Sequence, residues 1–286
     1  MTHRDPTVRR GYDAGMAGWV EIGDRVFVRR YAFFDQNIGV VLGDGEALVI
    51  DTRSTYGQAR EIQAHLRELT AFPVTVVVDT HGHFDHAFGN ALFRPATIWG
   101  HERCVTFMER NGELRRDRIA TNNPEIAADL PEVVLDPPDR TFSETAYVEL
   151  GDRRIELRYL GRGHTDHDIV IRVPDASVLF AGDLVENGAV PWFGDGYPLD
   201  WPETALRVAE LTVGVIVPGH GDHAGPGFAD MQATALWALA DLARRVNRGD
   251  LTLDDAIAAT PYPAYDHELI RRPLERALEQ LRGELA

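Results

Sequence analysis

The feature that most constrains this chain is an apolar strand that runs directly into a cluster of histidines. Val74–Val78 is a continuous run of apolar and β-branched residues, which is typical of a strand buried on both faces. Two residues later, residues 81–86 read H-G-H-F-D-H. Imidazole and carboxylate groups this close together in a loop can converge on one or two metal ions. The sequence therefore predicts a buried sheet with a metal site at the end of one of its strands.

The order of predicted elements favours one layered domain. Short strands are expected over residues 18–31 and 37–50, a helix follows at 57–69, and strands return between 147 and 181. This succession of strands and helices predicts an α/β fold in which two sheets lie between helices.

The chain shows no repeat, low-complexity tract or obvious linker. We therefore expect residues 1–286 to form a single domain with its core at about 18–225. A helix is expected over residues 102–110. The polar residues 111–145 are expected to form an insertion that can cover a site, and residues 226–286 are expected to form C-terminal helices.

Three further groups of polar residues follow predicted strands in the second half of the chain. They are Gly163-His164-Thr165, Ala181-Gly182-Asp183 and Pro218-Gly219-His220-Gly221. Taken singly, a histidine or aspartate at a strand end is more often a cap. Because ligand-bearing loops of open α/β sheets lie at the carboxyl ends of strands, four such ends together favour one metal site.

Composition narrows the classes of function. The chain has one cysteine, Cys104, and no lysine, which excludes a thiolate zinc cluster and a Schiff-base lysine. The net charge of −16 disfavours nucleic acid and anionic membranes as partners. No apolar run approaches the ~18 residues of a membrane span, and no secretory signal is visible, so we predict a cytoplasmic protein.

These motifs, in this order, resemble those of the metallo-β-lactamase superfamily over about residues 37–220. The resemblance implies a four-layer αββα sandwich with two metal ions at one edge of its sheets. It also implies two zinc ions per chain, although iron or manganese would suit the same donors. By the family pattern, the first metal would take His81, His83 and His164, the second would take Asp85, His86 and His220, and Asp183 would bridge them. Asp51 matches the family's early strand-end aspartate and would orient a ligand imidazole, with a strand-end cap as the equal alternative.

The reaction implied by the resemblance is metal-assisted hydrolysis of a small molecule. Water held between two cations has a much lower pKa than free water and would attack as hydroxide. Asp85 would be the catalytic residue that orients this hydroxide. The bond is expected to be an ester, thioester, lactone or lactam. Zinc β-lactamases typically have Cys or Ser where Asp183 stands, so β-lactam cleavage is expected to be weak.

Two other functions remain open at this stage. A mononuclear iron enzyme that resembles persulfide dioxygenases would use only His81, His164 and Asp183, and a His₂-carboxylate set suits Fe(II) and O₂. A binding module on the same scaffold would catalyse nothing, although retention of all the ligands argues against it. The sequence leaves the oligomeric state open.

Aromatic residues in two segments are predicted to shape a substrate pocket. They are Phe33, Trp192, Phe193 and Tyr197, and the alternative for each is packing onto the core. His167 and His223 lie close to two of the expected ligands. They are interpreted as exposed loop histidines, with a proton-shuttle role as the alternative.

Overall fold

A computed structural model describes residues 18–212, 214–262 and 267–285, and for residues 267 and 268 it describes the backbone. The chain divides into an N-terminal unit, Met1–Leu157 with Val173–Ala176, and a C-terminal unit, Arg158–Arg172 with Ser177–Ala286. Residues 1–17, in which no signal segment was expected, lie outside the described residues. The same holds for Val213, where the sequence predicts that a strand begins.

The N-terminal unit is built around a run of parallel and antiparallel strands. Their bounds are β1 (Val20–Gly23), β2 (Val26–Tyr31), β3 (Gln36–Leu42), β4 (Ala47–Ile50), β5 (Val74–Val78), β6 (Thr97–His101), β7 (Arg140–Phe142), β8 (Thr145–Leu150) and β9 (Arg153–Tyr159). Strands β1 to β4 pair antiparallel in succession, whereas β4 to β7 pair in parallel. Parallel pairing places the carboxyl ends of β4 and β5 at one edge, and the histidine segment begins there.

From residue 18 onward, the α-helices of this unit are α1 (Tyr56–Leu69), α2 (Phe84–Ala87) and α3 (Glu102–Asn122). Helix α1 begins where the Thr55 side chain accepts a hydrogen bond from the Gln58 backbone N–H. It buries Ile62 and Leu66 in a core that also contains Val77 of β5. Each such side chain contributes roughly 1.5–3 kcal/mol of stability by burial, so α1 fixes β5 in place.

The predicted end of the third helix at residue 110 is wrong. Helix α3 continues to Asn122, so the first part of the expected insertion is helical. Residues 111–122 are mostly polar, and no regular apolar stripe marks them as a helix in the sequence. Tertiary contacts hold this part of α3: Gly112 lies against the Leu135 side chain, and Arg116 donates to the Val133 carbonyl over 3.1 Å.

The described residues of the C-terminal unit form three strands and four α-helices. Their bounds are β10 (Ile169–Val173), β11 (Val178–Asn187), β12 (Val215–Gly221), α4 (Trp201–Leu211), α5 (Pro226–Arg248), α6 (Leu253–Ala258) and α7 (His267–Leu281). The strands lie in the order β10, β11, β12, and β11 pairs with β12 in parallel. The core beneath them contains Leu184, Trp201, Val208 and Leu236.

Two strands run further than the sequence indicates. Asp183 was expected just past a strand and His220 after a Pro218-Gly219 turn, but both lie inside strands, in β11 and β12. The pairing of β11 with β12 shifts register on both sides of Gly182, whose φ is +51°. Glycine and proline suggest strand ends in a sequence, and here they mark a bulge inside a continuing pair.

Among the described residues, none of the helices is both long enough and apolar enough to cross a lipid bilayer.

Candidate metal centre

Four of the expected ligands lie on the segment that follows β5 in the N-terminal unit. His81, His83, Asp85 and His86 are all buried. The carbonyl of His83 accepts the backbone N–H of His86 over 3.0 Å, which starts the short helix α2 and turns Asp85 and His86 back toward the strand end. His81 Nε2 lies 2.9 Å from His83 Nδ1, and His86 Nε2 lies 3.7 Å from Asp85 Oδ2. The segment therefore gathers imidazole and carboxylate donors.

Asp51, which is expected to orient a ligand imidazole, contacts the His86 imidazole directly and the His81 imidazole through Thr80. Its Oδ2 lies 2.8 Å from His86 Nδ1, and its two oxygens accept the backbone N–H and the hydroxyl of Thr80 over 2.8 and 2.9 Å. Because the Thr80 hydroxyl donates to Asp51, its oxygen is available to accept from His81 Nδ1, 3.1 Å away. With these partners both imidazoles carry the proton on Nδ1 and leave Nε2 unprotonated, so that His81 Nε2 can accept from His83 Nδ1.

Asp79, between β5 and the histidines, supports the histidine segment through a buried hydrogen-bond network. Complete burial raises the pKa of the Asp79 carboxyl well above its ordinary value, and the hydrogen bond from Asn90 opposes that rise. Asn90 Nδ2 donates to Asp79 over 2.7 Å, and Asn90 Oδ1 accepts the Thr52 hydroxyl over 2.8 Å. This buried network fixes the start of the histidine segment.

The other three expected ligands come from separate parts of the C-terminal unit. Asp183 Oδ2 lies 3.4 Å from His164 Nε2 and 3.3 Å from His220 Nε2. A single carboxylate oxygen thus lies between two imidazole nitrogens. Gly219 permits this arrangement, because a Cβ there would collide with Asp183 Oδ1. One carboxylate between two imidazoles is the arrangement that a bridging ligand requires.

Contacts within its own loop and with a neighbouring loop fix the orientation of His164. The buried Asp168 accepts the backbone N–H and the hydroxyl of Thr165 over 2.7 and 2.8 Å, which closes the turn that carries His164. His164 Nδ1 lies 3.1 Å from the Trp192 carbonyl oxygen. A carbonyl only accepts, so Nδ1 carries the proton and Nε2 is a lone pair.

Glu186 is a candidate functional residue that the sequence motifs do not predict. This buried residue of β11 joins His164 and Asp183 in a group whose ligand atoms lie within 4.8 Å of one another. In a regular strand, residues 183 and 186 would face opposite sides. The register shift between Gly182 and Glu186 brings both carboxylates to one side. The one signal in the sequence was a glutamate directly after the apolar pair Leu184 and Val185.

The predicted pocket residues differ in exposure. The Trp192 side chain is 48% exposed, whereas Phe193 is 2% exposed and packs against Trp201 with ring centroids 4.9 Å apart. Tyr197 is buried beneath the Arg162 guanidinium. Phe33 is half-buried against a cluster that includes Phe88.

The interpretation of His167 as an exposed residue is wrong. Its side chain is buried, and Nδ1 lies 2.7 Å from Asp166 Oδ1. The turn closed by Asp168 draws it inward, since the His167 backbone N–H donates to the Thr165 hydroxyl over 3.1 Å. His223, by contrast, is half-buried.

A family model covers most of the chain. The family model described as the metallo-beta-lactamase superfamily matches residues 31–220. The chain belongs to the metallo-β-lactamase superfamily, and thus to a superfamily whose named members here are hydrolytic enzymes.

Individual relatives are distant. A Bacteroides fragilis protein named metallo-beta-lactamase type 2 is 22% identical over 218 residues, or 72% of this chain and 79% of that protein. The Homo sapiens acyl-coenzyme A thioesterase MBLAC2 is 26% identical over 221 residues, or 70% and 79%. A solved metallo-beta-lactamase from Pontibacter korlensis superposes with a TM-score of 0.64 at 20% identity, covering 77% of this chain and 98% of that one. The predicted fold class, that of the metallo-β-lactamases, is confirmed.

Proposed function

We propose that this protein is a dinuclear zinc hydrolase that cleaves an ester, thioester, lactone or lactam bond of a small molecule. The observation that carries the proposal is the position of Asp183, whose Oδ2 lies within 3.4 Å of both His164 Nε2 and His220 Nε2. In the family pattern those two histidines serve different metals. A carboxylate oxygen next to both is placed to bridge them, which supports two ions rather than one.

The donor set fits zinc. Among the described residues, the expected ligands are imidazoles and carboxylates, six of them buried and His220 half-buried. Such donors suit Zn²⁺ where thiolates are absent, and the same donors would accept iron or manganese. The first ion would be held by His81, His83, His164 and Asp183. The second would be held by Asp85, His86, His220 and Asp183.

Zinc ions in this site would lower the pKa of water and polarise the acyl carbonyl. The chain's own residues would do the rest of the work. Asp51 holds the His86 and His81 rings with Nε2 unprotonated, directly and through Thr80. The Asp85 carboxylate, 3.7 Å from His86 Nε2, is placed to accept the proton of the attacking water at Oδ2. Burial of these groups strengthens each of the electrostatic interactions.

A thioester is the first substrate class to test, since a human relative is named as an acyl-coenzyme A thioesterase. β-Lactams come second, because other relatives are named as metallo-beta-lactamases while Asp183 stands where zinc β-lactamases typically have Cys or Ser. We keep the cytoplasm as the proposed location and a small molecule as the proposed partner.

Elemental analysis of the purified, untreated protein tests the proposal most directly. We expect about two zinc ions per chain, and turnover on a panel of acyl thioesters, aryl esters, lactones and a chromogenic cephalosporin that is lost on chelation and restored by zinc. About one iron per chain, with oxygen consumed in the presence of a persulfide, would contradict the hydrolase and support the dioxygenase. Full metal loading without turnover on any substrate would favour a binding module.

A further inference from the structure

The segment between β11 and α4 presents one aromatic side chain to solvent beside a ligand histidine. Phe193 and Tyr197, the other predicted pocket aromatics of this segment, are buried, but the Trp192 side chain is 48% exposed. The Trp192 ring centroid lies 5.6 Å from that of His164, with the ring planes at 49°. An exposed indole next to a ligand imidazole is an apolar surface at the point where a substrate would react.

Glu186 holds this tryptophan by its main chain. The carboxylate, in a residue that is 8% exposed, accepts the Trp192 backbone N–H at Oε1 over 3.0 Å. The Trp192 carbonyl oxygen accepts from His164 Nδ1 over 3.1 Å. Glu186 Oε1 is itself 3.9 Å from His164 Nδ1. The peptide groups on both sides of residue 192 are therefore tied to the neighbourhood of the ligand.

Helix α5 in turn anchors Glu186. Gln232 of α5 accepts the Glu186 backbone N–H at Oε1 over 3.1 Å and donates to the Leu184 carbonyl over 2.7 Å. Because both hydrogen bonds reach the main chain of β11, the strand position that carries the carboxylate is fixed from the core side.

The C-terminal helix holds the other side of the same segment. Arg276 of α7 donates to the carbonyls of Gly196 and Asp195 over 2.9 and 3.1 Å. Arg272 donates to the Gly194 carbonyl over 3.3 Å. Three successive carbonyls are thus bound by two guanidinium groups, and the segment after Trp192 is fixed as firmly as the segment before it.

We propose that Glu186 is a positioning residue that holds Trp192 as one wall of a binding site for an apolar acyl chain, so that the enzyme prefers medium-length acyl groups to acetyl. This inference rests on the proposed hydrolase function and names its substrate class. A tryptophan whose main chain is already fixed loses little conformational freedom on binding, so apolar contact with it is converted efficiently into affinity. Each methylene buried against it would improve kcat/KM by up to about fourfold.

The test compares chain-length dependence among variants. The substrates are acetyl, butanoyl, hexanoyl and octanoyl thioesters of N-acetylcysteamine. In the wild type we expect kcat/KM to rise along the series. Trp192→Ala and Glu186→Ala should each flatten that rise, and the double variant should be no flatter than either single one, because both act through the same wall. Glu186→Gln keeps an oxygen acceptor for the Trp192 N–H and should restore the rise.

Matched controls separate positioning from general damage. Glu210→Ala removes an exposed glutamate of α4 and should leave the chain-length profile as in the wild type. Metal content should be unchanged in Glu186→Ala and Glu186→Gln. Acrylamide quenching of tryptophan fluorescence, with Trp192→Phe as the reference, should show residue 192 to be more accessible in Glu186→Ala. Octanoate should bind about tenfold more weakly to Glu186→Ala than to the wild type.

Defined outcomes overturn the inference. An equally steep chain-length profile in Glu186→Ala and the wild type would show that Glu186 does not set the wall. Loss of metal from both Glu186 variants would instead make the residue part of the ligand set. If the protein hydrolyses no acyl substrate but binds octanoate in a way that depends on Glu186, the proposed hydrolase function is wrong and the proposed wall at Trp192 is supported. If octanoate binds neither the wild type nor Glu186→Ala, the proposed apolar wall is wrong.

Discussion

The two units of the molecule hold their expected ligands by different means. In the N-terminal unit four donors come from six consecutive residues, and hydrogen bonds within the segment and to Asp51 set their directions. In the C-terminal unit His164, Asp183 and His220 come from a loop and two strands, and the folding of these elements brings them together. One group of expected ligands is thus local in sequence, whereas the other is brought together by tertiary structure.

The two groups of expected ligands also differ in the contacts that support them. The histidine segment is supported by a polar relay, which is the set of hydrogen bonds that joins the Asp51 carboxylate, directly and through the Thr80 hydroxyl, to two imidazoles. The Asp183 group depends on the absence of a side chain at Gly219 and on the main chain of Trp192. The first support is chemical and the second is mainly steric, so substitutions should affect them differently.

The largest expected effect comes from removing the residue proposed to bridge the metals. Asp183→Ala should lower the zinc content from about two ions to about one per chain, since both ions lose a ligand and one loses its tight binding. We expect kcat/KM to fall by about 10²- to 10³-fold, the usual scale for removing one preorganised electrostatic group from an active site. Elemental analysis and kinetics check this result. Asp230→Asn, at an exposed position of α5, is the control, and two tightly held ions with full activity in Asp183→Ala would disprove the ligand assignment.

The polar relay of the N-terminal unit should be the next most sensitive. Asp51→Asn keeps the size of the side chain, and asparagine tolerates the φ of +64° found there. It cannot serve as the charged acceptor for His86 Nδ1, so we expect zinc affinity or kcat/KM to fall about 10- to 100-fold. Zinc competition with a chelator measures the affinity. Thr80→Ser, which keeps the hydroxyl, should stay close to the wild type, while Thr80→Val should follow Asp51→Asn.

The steric support of the C-terminal unit should respond to one added methyl group. Gly219→Ala forces a collision with Asp183 Oδ1, and we expect a loss of about 1–3 kcal/mol in the free energy of unfolding together with lower zinc content. Gly227→Ala is the matched control, because open space surrounds that position in helix α5 and alanine should raise stability slightly there. Equal stability of the two variants in denaturant titrations would argue against a steric role for Gly219.

The smallest expected effect concerns the arginines of α7. Partial burial raises the pKa of the Glu279 carboxyl, but hydrogen bonds from Arg272 and Arg276 outweigh it, so that the pKa lies below the ordinary value of 4.5. The stabilisation is therefore complete above pH 4.5 and is lost as the pH falls through the lowered pKa. For a pair this exposed it amounts to at most about 1 kcal/mol. Thermal unfolding between pH 7 and 3 should show a shallower acid decline for Glu279→Gln than for Glu275→Gln, and parallel declines would count against the contribution.

The same contrast explains how far the sequence predicts the molecule. The histidine segment was visible because its donors are neighbours in sequence and follow the apolar strand β5. The ligand types of the C-terminal unit were visible too, but their placement was not. Gly182 and Gly219 looked like strand ends, whereas the chain continues as a bulged strand pair through Asp183 and His220. Only the pairing register reveals that.

Residues that act through their main chain or through a neighbour leave little trace in a sequence. Glu186 reaches the site because of a register shift, and the polar second half of α3 is helical because Gly112 and Arg116 meet partners far along the chain. Likewise, nothing in the sequence distinguishes the exposed Trp192 from the buried Phe193 beside it. Exposure depends on packing partners such as Trp201, and these are set by the whole fold.

The hydrogen bonds at Trp192 have a consequence for how such an enzyme can diversify. Glu186 and His164 contact the amide and the carbonyl of residue 192, and these atoms are common to every amino acid except proline, which lacks the N–H. A change at this single codon can therefore exchange one side chain for another while the histidine keeps its orientation. If Trp192 forms the proposed wall, substrate preference and catalytic integrity can therefore evolve separately at this position, and proline is the one residue excluded there.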